Sequence, residues 1–133
     1  MTTTSPAELW KLLQNASHEA NAKVTPRPII VGSPTTPFGN DIDPTKETWY
    51  HSEGICGWSI VRVPNRGKFA KWLLDNDLAY KPAYESGLVI RDYERNGFAK
   101  VGQSYERHLA VNNALLNVLL LHGITATGVV GVD

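Results

Sequence analysis

The order of elements after residue 56 constrains this chain most. Gly57-Trp-Ser-Ile-Val-Arg-Val63 is rich in β-branched residues and reads as a strand that Pro64 ends. Phe69, Trp72 and Leu73 stand at i, i+3 and i+4, marking a helix that Asn65 can cap and Asn76 closes. Tyr80 to Glu85 and Leu88 to Tyr93 read as strands joined by Ser86-Gly87, a two-residue hairpin turn. A loop over 94–103 leads to Ser104, which can cap the longest helix. That helix runs to His122, whose place in the last turn suits the dipole, and Gly123 suits a left-handed terminator. Thr125 to Val132 reads as a final strand. Strand, helix, strand, strand, helix, strand is the split-βαβ, or ferredoxin-like, layout. The expected fold class is therefore α+β: a four-stranded antiparallel ferredoxin-like βαββαβ sandwich with two helices on one face. So many activities share this layout that it carries no function by itself.

Two further segments precede the repeat. Ser5-Pro6-Ala7-Glu8 is a helix start with a cap, a first-turn proline and a capping-box glutamate. Leu9, Leu12, Leu13, Ala16 and Ala20 then recur at helical spacing to Asn21 or Ala22, with Trp10 widening the stripe. Residues 24–56 carry Pro26, Pro28, Pro34, Pro37 and Pro44 and the turn glycines Gly32, Gly39 and Gly54. Only Pro28 to Val31 looks extended there. Ile29, Ile30, Val31, Phe38, Ile42, Trp49 and Tyr50 give this stretch enough apolar surface to wrap on a core. The expectation is one domain over 1–133: an N-terminal helix (1–23), a Pro/Gly-rich wrap (24–56) and the βαββαβ core (57–133).

The last helix is apolar round more than one face near its end, at Leu115, Leu116, Val118, Leu119, Leu120 and Leu121. One sheet cannot cover such a helix. Either the 1–56 segment packs on its outer side or another subunit does. In the first core strand Trp58, Ile60 and Arg62 alternate with Ser59, Val61 and Val63. Both faces are partly apolar, so the pattern leaves open which one is exposed.

Thirteen basic and thirteen acidic residues cancel. Residues 1–56 hold four basic and six acidic groups (−2), and residues 57–133 hold nine and seven (+2). So even a balance speaks against binding a polyanion through charge alone. The run Leu115 to Leu121 is far shorter than the ~20 residues that span a bilayer. No membrane association is therefore expected, and the start MTTTSPAELW lacks a secretory leader pattern, so an intracellular protein is expected. Cys56 is the only cysteine, which rules out an intramolecular disulfide.

Candidate chemistry is sparse. Asp41, Asp43, Glu47, His51 and Glu53 form an acidic stretch with one imidazole, and Asp41, Asp43 and His51 are weak candidates for a hard cation. Turn formation beside Gly39-Asn40 and Pro44 is the plainer use of the two aspartates. Cys56 and His51 could pair as nucleophile and base, although a lone cysteine beside Ile55 is more often a small buried hydrophobe. Gly32 to Gly39 has no lysine, and its prolines remove the N–H groups that would cradle phosphate. Asn65-Arg66-Gly67-Lys68 opens a helix with two cations. Ferredoxin-like sheets can also stack bases on aromatics. Trp58, Arg62, Arg66 and Lys68 are thus the candidate binding residues, with core packing the commoner use of Trp58. His18, His108 and His122 read as isolated surface or helix-end residues.

Val31-Gly-Ser-Pro-Thr-Thr-Pro-Phe-Gly-Asn-Asp-Ile-Asp43, Trp49-Tyr50, Glu53-Gly-Ile-Cys-Gly-Trp58 and Gln103-Ser-Tyr-Glu-Arg107, followed by the long helix, carry a resemblance. Over roughly 29–133 the chain resembles a family of small tailed-bacteriophage proteins with no assigned activity. The resemblance implies a phage accessory or virion protein in the host cytoplasm or the particle. The leading expectation is a non-enzymatic interaction protein, either a virion component or a binder of a host protein, with no cofactor. The alternatives are a nucleic-acid-binding protein using its sheet and a small enzyme or metal-binding protein using the 41–56 loop. A homo-oligomer is also open.

Overall fold

The structure, a computed structural model, describes residues 4–32, 46, 48–91 and 96–132. Helix α1 spans Pro6–Ala22, and the Ser5 hydroxyl accepts from the Glu8 N–H at 3.2 Å as its cap. Strands β1 (Ile29–Gly32) and β2 (Thr48–His51) pair antiparallel as a two-stranded ribbon, with Ile29 opposite His51. The remaining elements are β3 (Gly57–Val63), α2 (Gly67–Asp75), β4 (Ala79–Tyr80), β5 (Leu88–Ile90), α3 (Tyr105–Leu121) and β6 (Thr127–Val132). They give an α+β fold whose four-stranded sheet has the order β4-β5-β3-β6, every neighbouring pair antiparallel.

Several local expectations need correction. The strand expected over Tyr80–Glu85 is only Ala79–Tyr80, and the connection to β5 is the loop 81–87 rather than a two-residue turn. Pro82 removes a ladder donor, and Glu85 turns instead to an ion pair with Arg62. The strand expected over Leu88–Tyr93 ends at Ile90, and residues 92–95 lie outside the described residues. Asn65 does not cap α2: the cap position is Arg66, with no side-chain hydrogen bond. The last strand begins at Thr127 rather than Thr125. Strand β2 falls in a stretch expected to be loop, because its threonine and aromatics sit among prolines and glycines. Gly123 follows the cap residue His122 with φ +78°, as a terminator should.

Helix α1 decides how the core closes. Its start meets the end of α3 around Leu9, Leu120 and Ile124, and its last turn meets the start of α3 through Asn21 and Arg107. The two helices therefore run antiparallel, packed along their length. Trp10 also reaches α2 and the loop after β5, with ring centroids 5.9 Å from Trp72 and 4.8 Å from Phe98. Leu13, Val61, Leu73, Leu88, Leu115 and Leu119 are fully buried at the centre. The outer side of α3 is thus covered by α1, part of the 1–56 segment, while Leu109, Leu120 and Leu121 stay exposed.

Polar contacts fix α1 to the 96–99 loop. Ser17, fully buried, accepts from the Ala99 N–H at 3.0 Å and donates to the Gln14 carbonyl at 2.7 Å. Gln14 donates to the Asn96 carbonyl at 2.6 Å, and His18 Nε2 lies 2.9 Å from the Gly97 carbonyl. The start of α3 holds the flanks of the ribbon: Glu106 accepts from the Arg27 N–H at 2.6 Å, and Arg107 bonds Glu53 and Asn21.

Candidate functional site

Strand β3 settles which sheet face is open. Directly opposed residues of antiparallel strands share a face. Val61 and Gly128 face the helices, as do Val63 with Leu88 and Ala79 with Ile90. The other face carries Trp58 with Gly131, Ile60 with Val129, and the row Thr127, Arg62, Val89 and Tyr80. Trp58 is therefore not core. It is 42% exposed, with its ring lying over Gly131. Tyr80 and Val129 are exposed to a similar degree, and no helix of the described residues covers this face.

The face is apolar and aromatic, and its charges are answered locally. Arg62 pairs with Glu85, and Arg91 pairs with Asp77 at 3.3 Å while its guanidinium sits 5.4 Å from the centre of the Tyr80 ring. Arg62 Nε is buried with no hydrogen-bond partner. Sequence reasoning placed Trp58 and Arg62 here but missed Ile60, Val129 and Tyr80 as their companions. The alternation of β3 held that signal for Ile60. The other two needed the strand order.

Arg66 and Lys68 lie elsewhere. They line a cleft of about 780 Å³, within the ~300–1,000 Å³ of many ligand sites. The starts of α1 and α2 and the end of α3 converge on it, with Leu9, Phe69, Leu120 and Ile124 among its walls. Gly67 has φ +87° and open space where a Cβ would stand, and the cap residue before it, Arg66, makes no side-chain hydrogen bond to α2. The four candidate binding residues are thus split between the sheet face and the end of the sheet.

The 41–56 candidates stay apart as far as they are described. Asp41, Asp43 and Glu47 lie outside the described residues, as does the side chain of His51. Glu53 is bound by Arg107. Cys56 is half-buried, its thiol 3.8 Å from Gln103 Oε1, and its backbone bridges Ser104. No group of three metal-ligating side chains occurs among the described residues, and none of their helices is long and apolar enough to cross a membrane.

His108 is not the isolated surface residue its sequence suggested. Its Nε2 lies 2.9 Å from the Gly102 carbonyl and its Nδ1 2.7 Å from Ser59 Oγ. A carbonyl can only accept, so Nε2 carries the proton and Ser59 donates to Nδ1 in the neutral ring. Ser59 faces the helices, so the pair ties β3 to α3 and the loop before it. Comparison with family models, curated proteins and solved structures finds no match for the chain.

Proposed function

We propose that this is a non-enzymatic interaction protein that docks a protein partner on its open sheet face. The carrying observation is that Trp58, Val129 and Tyr80 are exposed, with half-buried Ile60 beside them, on a face that no helix of the described residues covers. Exposed aromatics that are already held in place lose little side-chain entropy on binding and recur as interface anchors. The order β4-β5-β3-β6 supports reading 57–132 as the ferredoxin-like arrangement, with α1 as an added helix beside the usual two. The resemblance of residues 29–133 to small tailed-phage proteins makes a host protein or a virion component the partner class.

Nucleic acid is the weaker reading of the same face. Its arginines already pair with Glu85 and Asp77, while Arg66 and Lys68 belong to the cleft, so little free positive charge meets a phosphate chain. The test is capture of a partner from bacterial lysate with wild type and with Trp58→Ala and Tyr80→Ala. The reading expects a discrete protein that survives nuclease and is lost with the variants.

A further inference from the structure

The free edge of the sheet and the flank of the helix above it fit a second copy of this chain. Strand β6 pairs with β3 on one side only, and its outer edge has no strand partner among the described residues. Its sequence, TGVVGV, has no charge and no proline, the two devices that most often protect an edge from pairing. Unpaired N–H and C=O groups in that spacing are matched by another extended strand.

Helix α3 supplies the second observation. It lies across β3 and β6 alike, with Asn112 donating to the Ile60 carbonyl at 3.1 Å and Leu116 resting against Gly128. Gly128 is required there, since a Cβ would run into the Asn112 and Leu116 side chains. At ~100° per residue, Leu109, Asn113, Leu116 and Leu120 share one flank of α3, where Leu116 rests against Gly128 of β6 and Leu120, at the helix end, also lines the cleft beside the start of α1. Leu109 is 39% and Leu120 63% exposed. Among the described residues, an exposed leucine flank therefore runs beside a strand edge with no partner.

We propose that the protein forms a two-fold dimer through antiparallel pairing of β6 with its copy, joining two four-stranded sheets into one. A two-fold axis perpendicular to the sheet pairs residues of like face, and an axis at Val129 sets Val129 opposite its own copy. Residues 109 and 116 lie almost symmetrically about the part of α3 above that point, so Leu109 of one chain meets Leu116 of the other. The spacing also fits. Strands ~4.8 Å apart, with α3 over the middle of β3 and β6, put the two helix axes ~10 Å apart, which is a helix-packing distance. The chain's zero net charge removes mutual repulsion. The dimer goes beyond the proposed docking function and does not rest on it, although it would join the Trp58 patches of two copies on one face.

The test is molar mass by light scattering or sedimentation from roughly 1 to 100 micromolar, with circular dichroism as the folding control. Wild type is expected at twice the 14.7 kDa chain mass, 29.4 kDa. Leu109→Glu with Leu120→Glu changes two exposed residues and is expected to leave the fold intact while weakening association by about tenfold or more. Should that variant misfold, Val129→Cys in a Cys56→Ser background reads the same interface. Rapid oxidative cross-linking to a dimer supports it, and failure to cross-link overturns it. A monomeric wild type across the range overturns the dimer and leaves the docking reading standing. A dimer that the glutamates do not weaken overturns it too.

Discussion

Trp10 and Trp58 carry the same side chain to opposite ends. Trp10 is 7% exposed, edge-on to Phe98 and near Trp72, whereas Trp58 lies on the open face over Gly131. Trp10→Ala is expected to lower stability by about 3–5 kcal/mol, and Trp58→Ala by only about 1 kcal/mol. Urea unfolding of both variants checks the contrast. Ser17 is a second residue whose weight exceeds its size. Ser17→Ala leaves the buried Ala99 N–H without an acceptor, at a cost of about 1–3 kcal/mol. Amide exchange at Ala99 should quicken with it, and an unchanged rate would argue against the contact. Neither role was legible from the residue alone. Ser17 sits in a polar interval of the α1 pattern, and Trp58 alternates on a strand whose two faces are nearly equal in apolarity.

At the scale of elements, the long periodic segments could be read and the short ones could not. Helices α1 and α3 begin at their capping serines because Ser5 and Ser104 each accept from the N–H three residues on. Strand β3 ends at Val63 because Pro64 cannot continue the ladder. The β4–β5 connection is longer than its sequence suggests because strand propensity in Tyr80 to Glu85 gives way to the Arg62–Glu85 pair and to Pro82. The apolar excess of α3 was legible, but what covers it is a tertiary matter. Helix α1 fills that place, so it is part of the core rather than an appendage. Deleting residues 1–23 should therefore abolish cooperative unfolding rather than trim it, because Leu115 and Leu119 would lose the core partners Leu9, Trp10 and Leu13. A sharp thermal transition in the shortened chain would contradict this.

For the whole molecule, the balance of charge and the placement of apolar surface point the same way. With zero net charge and the sheet arginines paired to acids, long-range attraction of a polyanion is weak. What remains available is a face of Trp58, Ile60, Val129 and Tyr80 and an edge with its leucine flank. The candidate site was half legible in the sequence. Trp58 and Arg62 could be picked out, but Tyr80 and Val129 join them only through strand pairing, and Arg66 and Lys68 part from them because Pro64 ends β3 and starts the path to the cleft.

The most direct measurement is affinity capture from bacterial lysate, with and without nuclease, comparing wild type with Trp58→Ala. The account predicts a discrete protein that withstands nuclease and is lost with Trp58→Ala while the variant stays folded. Captured nucleic acid that disappears on nuclease treatment, or a protein partner held equally well by Trp58→Ala, would contradict it.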